Sequence, residues 1–186
     1  MEIRPATLAD LDNLIEIDGT IESTHYLHVD QAGEGVGISW RLEERSLRET
    51  LVTSNPIDDD SRFFLRQVLS GADDGVALAV VRDNTPVSLL LAGPMHERNT
   101  LRVVDLRVDS DYRRQGIATA LLLMLIGEAR SKELRAVSME TRADNAPIYR
   151  LLPRCGFELA GLDTRRHSNH DLVKESATLL WYASLD

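Results

Sequence analysis

The chain has a single cysteine, Cys155, so no disulfide can close within it and no multi-cysteine zinc site can form. It lacks an excess of positive charge. Its 21 Lys and Arg stand against 30 Asp and Glu, a net of −9, which argues against a nucleic-acid backbone or an anionic membrane as the main partner. No uninterrupted apolar run approaches the ~18 residues of a membrane span. The opening Met1-Glu2-Ile3-Arg4-Pro5 is polar, without the apolar stretch of a secretory leader. With so little cysteine, a reducing cytoplasmic setting is expected. There is no internal repeat and no low-complexity tract.

What is there suits a globular domain. Hydrophobic residues make up 43% and charged residues 27%, which excludes disorder and collagen-like chains. At about 150 residues per domain, 186 residues predict one domain over 1–186. A chain of this length buries roughly 70% of its unfolded surface, enough for a core without disulfides or metals.

Met1 to Pro5 reads as a short strand. Thr7 stands three residues before Asp10, a capping spacing, and Leu8, Leu11, Leu14 and Ile15 follow at helical intervals. Residues 18–38 have no clear period and carry Gly33, Gly35 and Gly37, so they read as a loop. Ser39 to Val52 reads as a charged helix. Asn55-Pro56 and Asp58-Asp59-Asp60 break the chain before another helical stretch, Phe63 to Leu69. Val76 to Val81 and Val87 to Ala92, with the turn Asp83-Asn84-Thr85 between them, form an antiparallel hairpin, and Leu101 to Val108 is a third strand. Ile117 to Arg130 is a helix apolar on nearly every side and therefore buried. A strand from Ala136 to Glu140, a short helix opening at Asn145-Ala146-Pro147 and ending near Cys155-Gly156, and strands over Phe157 to Thr164 and Ala177 to Ala183 complete the order. The order implies an α/β (α+β) fold, a mixed sheet with helices on both faces.

One segment carries chemistry. The strand ending Asp105-Leu106-Arg107-Val108 leads through Asp109-Ser110-Asp111-Tyr112 into Arg113-Arg114-Gln115-Gly116-Ile117-Ala118. A helix start leaves about four N–H groups without intrahelical partners, and the helix dipole adds positive potential there. Gly116 and the small Ala118 let a bulky anion approach, with Arg113 and Arg114 beside it, so the segment reads as a phosphate or pyrophosphate cradle. A solvated basic turn before an ordinary buried helix is the other reading. It is neither a Walker A loop nor the dinucleotide G-x-G-x-x-G fingerprint.

These residues resemble motif A of the GNAT acetyltransferase superfamily, R/Q-x-x-G-x-G/A, with Arg113, Gly116 and Ala118 in the marked places. Glu140-Thr141-Arg142-Ala143-Asp144-Asn145 followed by Cys155-Gly156-Phe157 is similar to the superfamily's second signature. The resemblance covers residues 75–183 and implies the GNAT fold, a central, mostly antiparallel sheet, with acetyl-CoA as co-substrate and no metal. It implies that the amides of Arg114, Gln115, Gly116, Ile117, Ala118 and Thr119, beside Arg113, hold the pyrophosphate. Leu106, Arg107 and Val108 would pair with the pantetheine as a further strand, and Asn145 would lie near the pantetheine arm. Cys155-Gly156-Phe157, Gly161-Leu162-Asp163, Glu175-Ser176-Ala177 and Leu180-Trp181-Tyr182 also look like the tail of streptothricin acetyltransferases, which acetylate an amine on a cationic antibiotic.

The implied reaction is attack of a neutral amine on the thioester. A lysine-like amine is free at pH 7 in about one molecule in 2,500, a cost of about 4.6 kcal/mol, so a base or a desolvating pocket is useful. Glu140 matches the carboxylate that serves as base in the similar ribosomal-protein N-terminal acetyltransferases, and Asp105 on the preceding strand is the second candidate. Each has a plain alternative, as a paired carboxylate. The superfamily's usual general acid, a Tyr four residues before the Gly of G-F, is replaced by Leu152, and Tyr149 lies nearly one helical turn earlier. A thiol leaves readily, with pKa about 8.5, so a missing acid is tolerable. His25 and His28, like His167 and His170, are three apart, without a third ligand type to fix a metal. The expected partner is a small, cationic amine, with no nucleic acid or membrane, and the protein is expected as a monomer or homodimer. Two further readings stay open, a protein N-terminal or lysine acetyltransferase and a non-catalytic acyl-CoA-binding module.

Overall fold

The computed structural model describes residues 2–185, so Met1, where the first strand was expected to begin, lies outside the described residues. Along the chain the elements are β1 (Glu2–Pro5), α1 (Leu11–Ile15), β2 (Ile21–Ala32), β3 (Ser39–Thr53), α2 (Asp59–Leu69), β4 (Val76–Arg82), β5 (Thr85–Met95), β6 (Thr100–Val108), α3 (Ile117–Ser131), β7 (Ala136–Arg142), α4 (Ala146–Leu151), β8 (Glu158–Asp163) and β9 (Thr178–Ser184). Seven strands hydrogen-bond in the order β1-β4-β5-β6-β7-β9-β8, while β2 and β3 pair only with each other. The ladders from β1 through β6 are antiparallel, and β6 pairs with β7 in parallel. This is the mixed, mostly antiparallel sheet that the sequence implies.

The contacts divide the described residues into two units. One holds residues 2–20, 54–139 and 182–185, and the other residues 21–53 and 140–181.

In the first unit, Leu11, Leu14 and Ile17 from α1 and its end join Ile57 and Leu65 against Ala77, Ala79, Val81, Leu89 and Leu91. Those sheet positions are two apart, so they share one face. Leu78, Val80 and Leu90 alternate with them onto the other face, and α3, with Leu121, Leu122 and Leu125 fully buried, packs against β4, β5 and β6. Helices thus cover both faces. The helix starts follow from local chemistry. The Asp10 carboxylate accepts from the Thr7 N–H at 2.8 Å and from both ends of the Arg4 fork at 2.8 and 2.9 Å. Asp58 caps α2 by accepting from the Ser61 N–H at 2.7 Å, with Asp59 and Asp60 in the first turn complementing the helix dipole. The β4–β5 turn places Asp83 and Asn84 at φ 49° and 64°, the left-handed pair that a two-residue hairpin turn needs.

The second unit departs from the sequence reading. Residues 18–38 and 39–52 were expected as a loop and a charged helix, and they form a long hairpin, β2 with β3, paired from Ile21↔Thr53 to Ala32↔Ser39. The glycines mark its turn, where the Gly37 N–H bonds the Glu34 carbonyl at 3.0 Å. Both faces of β3 are largely exposed. With neither face buried, no apolar alternation was available to reveal the strand, and the Leu, Glu and Arg content favoured a helix. Cross-strand pairing overrides that local preference. The helix expected over 145–155 splits into α4 and a tight turn over Leu152–Cys155.

Candidate active site

In the first unit, β6 sets the geometry. Its ladder with β7 ends at Val103↔Met139, yet β6 runs on to Val108 and stays paired with β5 as far as Ser88↔Val108. One extra residue, Val104, sits in β6 where Leu91↔Asp105 shifts to Ala92↔Val103. Such a bulge bends a strand and ends its pairing. From Val104 to Val108, the backbone groups of β6 that point away from β5 have no β7 partner among the described residues.

The loop after β6 is built to present amides. The Arg113 Nε donates to the Val108 carbonyl at 2.9 Å and its Nη2 to the Asp18 carbonyl at 3.0 Å. The Arg82 guanidinium sits 5.5 Å above the Tyr112 ring centroid and anchors the same loop. Arg114 and Gly116 both turn left-handed, at φ 60° and 80°. Gly116 is the N-cap of α3 and supplies no side-chain cap, and a Cβ there would meet nothing within 4 Å. The glycine is therefore demanded by backbone conformation and leaves open space before the helix. The first intrahelical acceptor is the Gly116 carbonyl, bonded by the Ala120 N–H at 3.0 Å. The amides of Ile117, Ala118 and Thr119 are left facing out, as an anion site needs.

Asp105 and Arg107 share the α1/α2 face of β6. The Arg107 Nε donates to Oδ1 of Asp105 at 2.7 Å and Nη2 to Oδ2 at 2.6 Å, while Nη1 donates to the Ile17 carbonyl at 3.2 Å. The Arg107 side chain is buried. Gly19 lies against it, since a Cβ there would stand 2.9 Å from Arg107 Nη1 and 2.5 Å from the Asn55 carbonyl oxygen. Arg107 and Arg113 thus hold the carbonyls of Ile17 and Asp18.

In the second unit, Glu140 is exposed and its Oε2 pairs with Arg166 Nη2 at 2.9 Å. Asn145 is the N-cap of α4, its carbonyl accepting from the Tyr149 N–H at 3.2 Å, and its side chain makes no capping bond. The buried Tyr149 donates its hydroxyl to Glu44 Oε2 at 3.0 Å, and Arg150 forks the same carboxylate with two bonds of 2.8 Å. The Arg150 fork, with the Tyr149 hydroxyl, holds Glu44 down at about 2, and burial with the nearby carboxylate pushes the Tyr149 phenol up. Leu152, in the superfamily's Tyr place, is fully buried. Asp171 organises the loop before β9, accepting from the His167 N–H at 2.8 Å and the Ser168 hydroxyl at 2.7 Å, which lower its pKa.

The structure thus brings Asp105, Leu106, Arg107, Val108 and Arg113 to Thr119 together in one unit, and Glu140, Asn145 and Tyr149 in the other. Sequence reasoning missed Glu44, Arg166 and Ser23. The buried Ser23 hydroxyl accepts from the Ala146 N–H at 3.0 Å, standing in for the absent Asn145 cap. These partners lie far apart in the chain, and no local spacing announces them. Among the described residues, no group of three or more His, Cys, Asp or Glu is placed to hold a metal ion. No helix among them is long and apolar enough to cross a membrane.

A mixed sheet whose sixth strand outruns its parallel neighbour, then turns through a glycine into open helix amides, defines the acyl-CoA N-acyltransferase class of fold. The profile of the acetyltransferase (GNAT) family matches residues 40–157, and the chain belongs to that family. It is 29% identical over 75 residues to a streptothricin acetyltransferase of Escherichia coli, covering 40% of this chain and 43% of that protein. It is 30% identical over 80 residues to streptothricin acetyltransferase A of Bacillus subtilis (strain 168), covering 43% and 46%. The chain thus matches less than half the length of these relatives. Its fold is that of a nourseothricin acetyltransferase crystal structure, at TM-score 0.78 and 20% identity over 100% of this chain and 98% of that one. It is also that of a streptothricin acetyltransferase homologue from Bacillus anthracis, solved with acetyl coenzyme A, at TM-score 0.77 and 18% identity over 100% and 97%.

Proposed function

We propose that residues 1–186 act as a single N-acetyltransferase domain, in the cytoplasm, moving the acetyl group of acetyl-CoA onto a primary amine of a small cationic molecule. The observation that carries this is the run from the unpaired end of β6 through Arg113 to the open amides of Ile117, Ala118 and Thr119. A pantetheine arm adds to a strand edge through backbone hydrogen bonds, and a diphosphate suits helix-start amides. In this reading Leu106, Arg107 and Val108 receive the pantetheine, with Asn145 assigned to the same arm. Arg114 to Thr119 receive the diphosphate. Arg113, whose guanidinium is already engaged by two carbonyls, acts by shaping the loop. A backbone N–H near Val108 polarises the thioester carbonyl.

The three proposed catalytic side chains divide by their present partners. Asp105 has both oxygens on Arg107, which favours a part in positioning. Glu140 keeps one oxygen outside its Arg166 pair and is assigned to the acceptor's ammonium. Tyr149 is assigned as proton donor to the departing thiolate, a modest part because a thiol with pKa about 8.5 leaves without much help. The relatives' names, net charge of −9 and exposed carboxylates in the second unit favour a cationic acceptor. The test is a thiol-release assay with acetyl-CoA and, in turn, nourseothricin, free lysine and an N-terminal peptide. Release of CoA thiol dependent on nourseothricin or lysine supports the reading, turnover with the peptide alone redirects it to protein acetylation, and no turnover with any amine overturns it.

A further inference from the structure

Arg113 is held between the edge of β6 and the end of α1, and both lie in the first unit. β5 and β6 pair as Ser88↔Val108, Leu89↔Arg107, Leu90↔Leu106 and Leu91↔Asp105, and one step further the Asp109 N–H bonds the Val87 carbonyl at 2.9 Å. In an antiparallel ladder, opposed residues alternate between exchanging both backbone bonds and exchanging none. Asp109, Arg107 and Asp105 therefore turn toward β5, while the N–H and carbonyl of Val108 and Leu106 point to the edge that β7 leaves open. The Val108 carbonyl is filled, since Arg113 Nε donates to it at 2.9 Å. What stays open among the described residues is the Leu106 N–H, the Leu106 carbonyl and the Val108 N–H.

The same side chain reaches further. Arg113 Nη2 donates to the Asp18 carbonyl at 3.0 Å, beside the Ile17 carbonyl that Arg107 Nη1 holds at 3.2 Å. The Asp18 carboxylate accepts from the Thr20 N–H at 2.8 Å, so this segment is a fixed turn. On its other side Arg113 leads directly into the amide row. Its own N–H bonds the Ser110 carbonyl at 3.4 Å, and from Arg114 to Thr119 no backbone N–H has a partner among the described residues. Gln115 Nε2 donates to the Asp111 carbonyl at 3.2 Å and keeps the loop closed on itself. One side chain thus connects the strand edge, the turn after α1 and the start of the amide row.

We infer that Arg113 is a positioning residue for acetyl-CoA, locking the open edge of β6 and the amides before α3 at one separation and making Leu106 the last backbone acceptor for the pantetheine arm. This rests on the coenzyme reading above. Its guanidinium acts through the backbone it holds and not as a charge on the phosphates, because Nε and Nη2 are committed to carbonyls. A ligand that engages two subsites gains from their fixed spacing, since its second contact forms within the complex. When the spacing is loose, each subsite still binds its own part, but the whole ligand must order the protein as it binds.

The experiment is a titration of three probes into the wild type, Arg113→Lys and Arg113→Gln, each checked for folding by circular dichroism. The probes are CoA, ADP as the diphosphate without the arm, and pantetheine as the arm without the diphosphate. Both variants should weaken CoA at least about tenfold while ADP and pantetheine each change less than about threefold, because only the coupling between subsites is lost. Lys keeps the charge without the planar fork, so it should not restore CoA binding. In the wild type, the NMR signal of the Arg113 Nε–H should stay in place when CoA is added. Recovery of CoA binding in Arg113→Lys, or an equal loss for ADP, makes Arg113 a charge contact to the phosphates and overturns the inference with the coenzyme reading intact. Unchanged CoA binding in both variants overturns it too. A wild type that takes up no CoA removes the coenzyme reading and the inference with it. If neither variant folds, the wild-type signal decides, and an Arg113 Nε–H that moves on adding CoA overturns the inference.

Discussion

Arg107 grips Asp105 with two nitrogens, at 2.7 and 2.6 Å, in the interior of the first unit. Removing one partner of a buried pair leaves the other charge uncompensated. Arg107→Ala is expected to lower stability by about 3–5 kcal/mol, read from urea denaturation. A loss below about 1 kcal/mol would show that water already screens the pair.

Gly19 presses on the same guanidinium. A methyl group there would stand 2.5 Å from the Asn55 carbonyl oxygen, so backbone must move. Gly19→Ala is expected to destabilise by about 1–3 kcal/mol, the usual range for overpacking. A thermal melt identical to wild type would contradict this placement of residues 17–19.

Glu44 ties β3 to α4, and its pKa is depressed from 4.5 to about 2, first by the Arg150 fork. A depressed carboxylate contributes stability that is present above its unfolded value and lost as pH falls through its folded one. The contribution should therefore fade between pH 4.5 and about 2. Glu44→Gln, compared with wild type by denaturation at pH 7, 4 and 2.5, should show a gap that narrows with acid. An unchanged gap would place the stabilisation elsewhere.

The parts legible in sequence were those whose signals are local. The short apolar runs Val76 to Val81 and Val87 to Ala92 with a turn between them, the uniform apolarity of Ile117 to Arg130 and the Gly116 turn each report a structure formed by near neighbours, and each recurs within three residues in the fold. The hairpin β2–β3 was not legible. Its exposed faces carry no alternation, and its partners on α4, at Ala146, Tyr149 and Arg150, come from more than 100 residues away. The same distance hid Arg166 from Glu140 only in part, since the two stand 26 positions apart, with strand, helix and strand between them. Which carboxylates are free and which are paired is a property of the folded chain.

Tyr149 tests how much an acid matters. Its hydroxyl donates to an ionised Glu44, and hydrogen bonds to charged groups are worth about 1.5–3 kcal/mol. Tyr149→Phe should reduce stability on that scale and lower kcat less than about tenfold at pH 7, because thiolate departs readily. A far larger fall in kcat with stability retained would make the phenol the essential acid.

The account rests on the α3 amides beyond Gly116 receiving a diphosphate, and isothermal titration of CoA into the folded protein tests this most directly. The wild type should release heat with one-to-one stoichiometry. Gly116→Glu, folded as judged by circular dichroism, should show none, because its carboxylate occupies the open space before the helix and repels the anion. Silence from the wild type, or equal binding by the variant, would contradict the account.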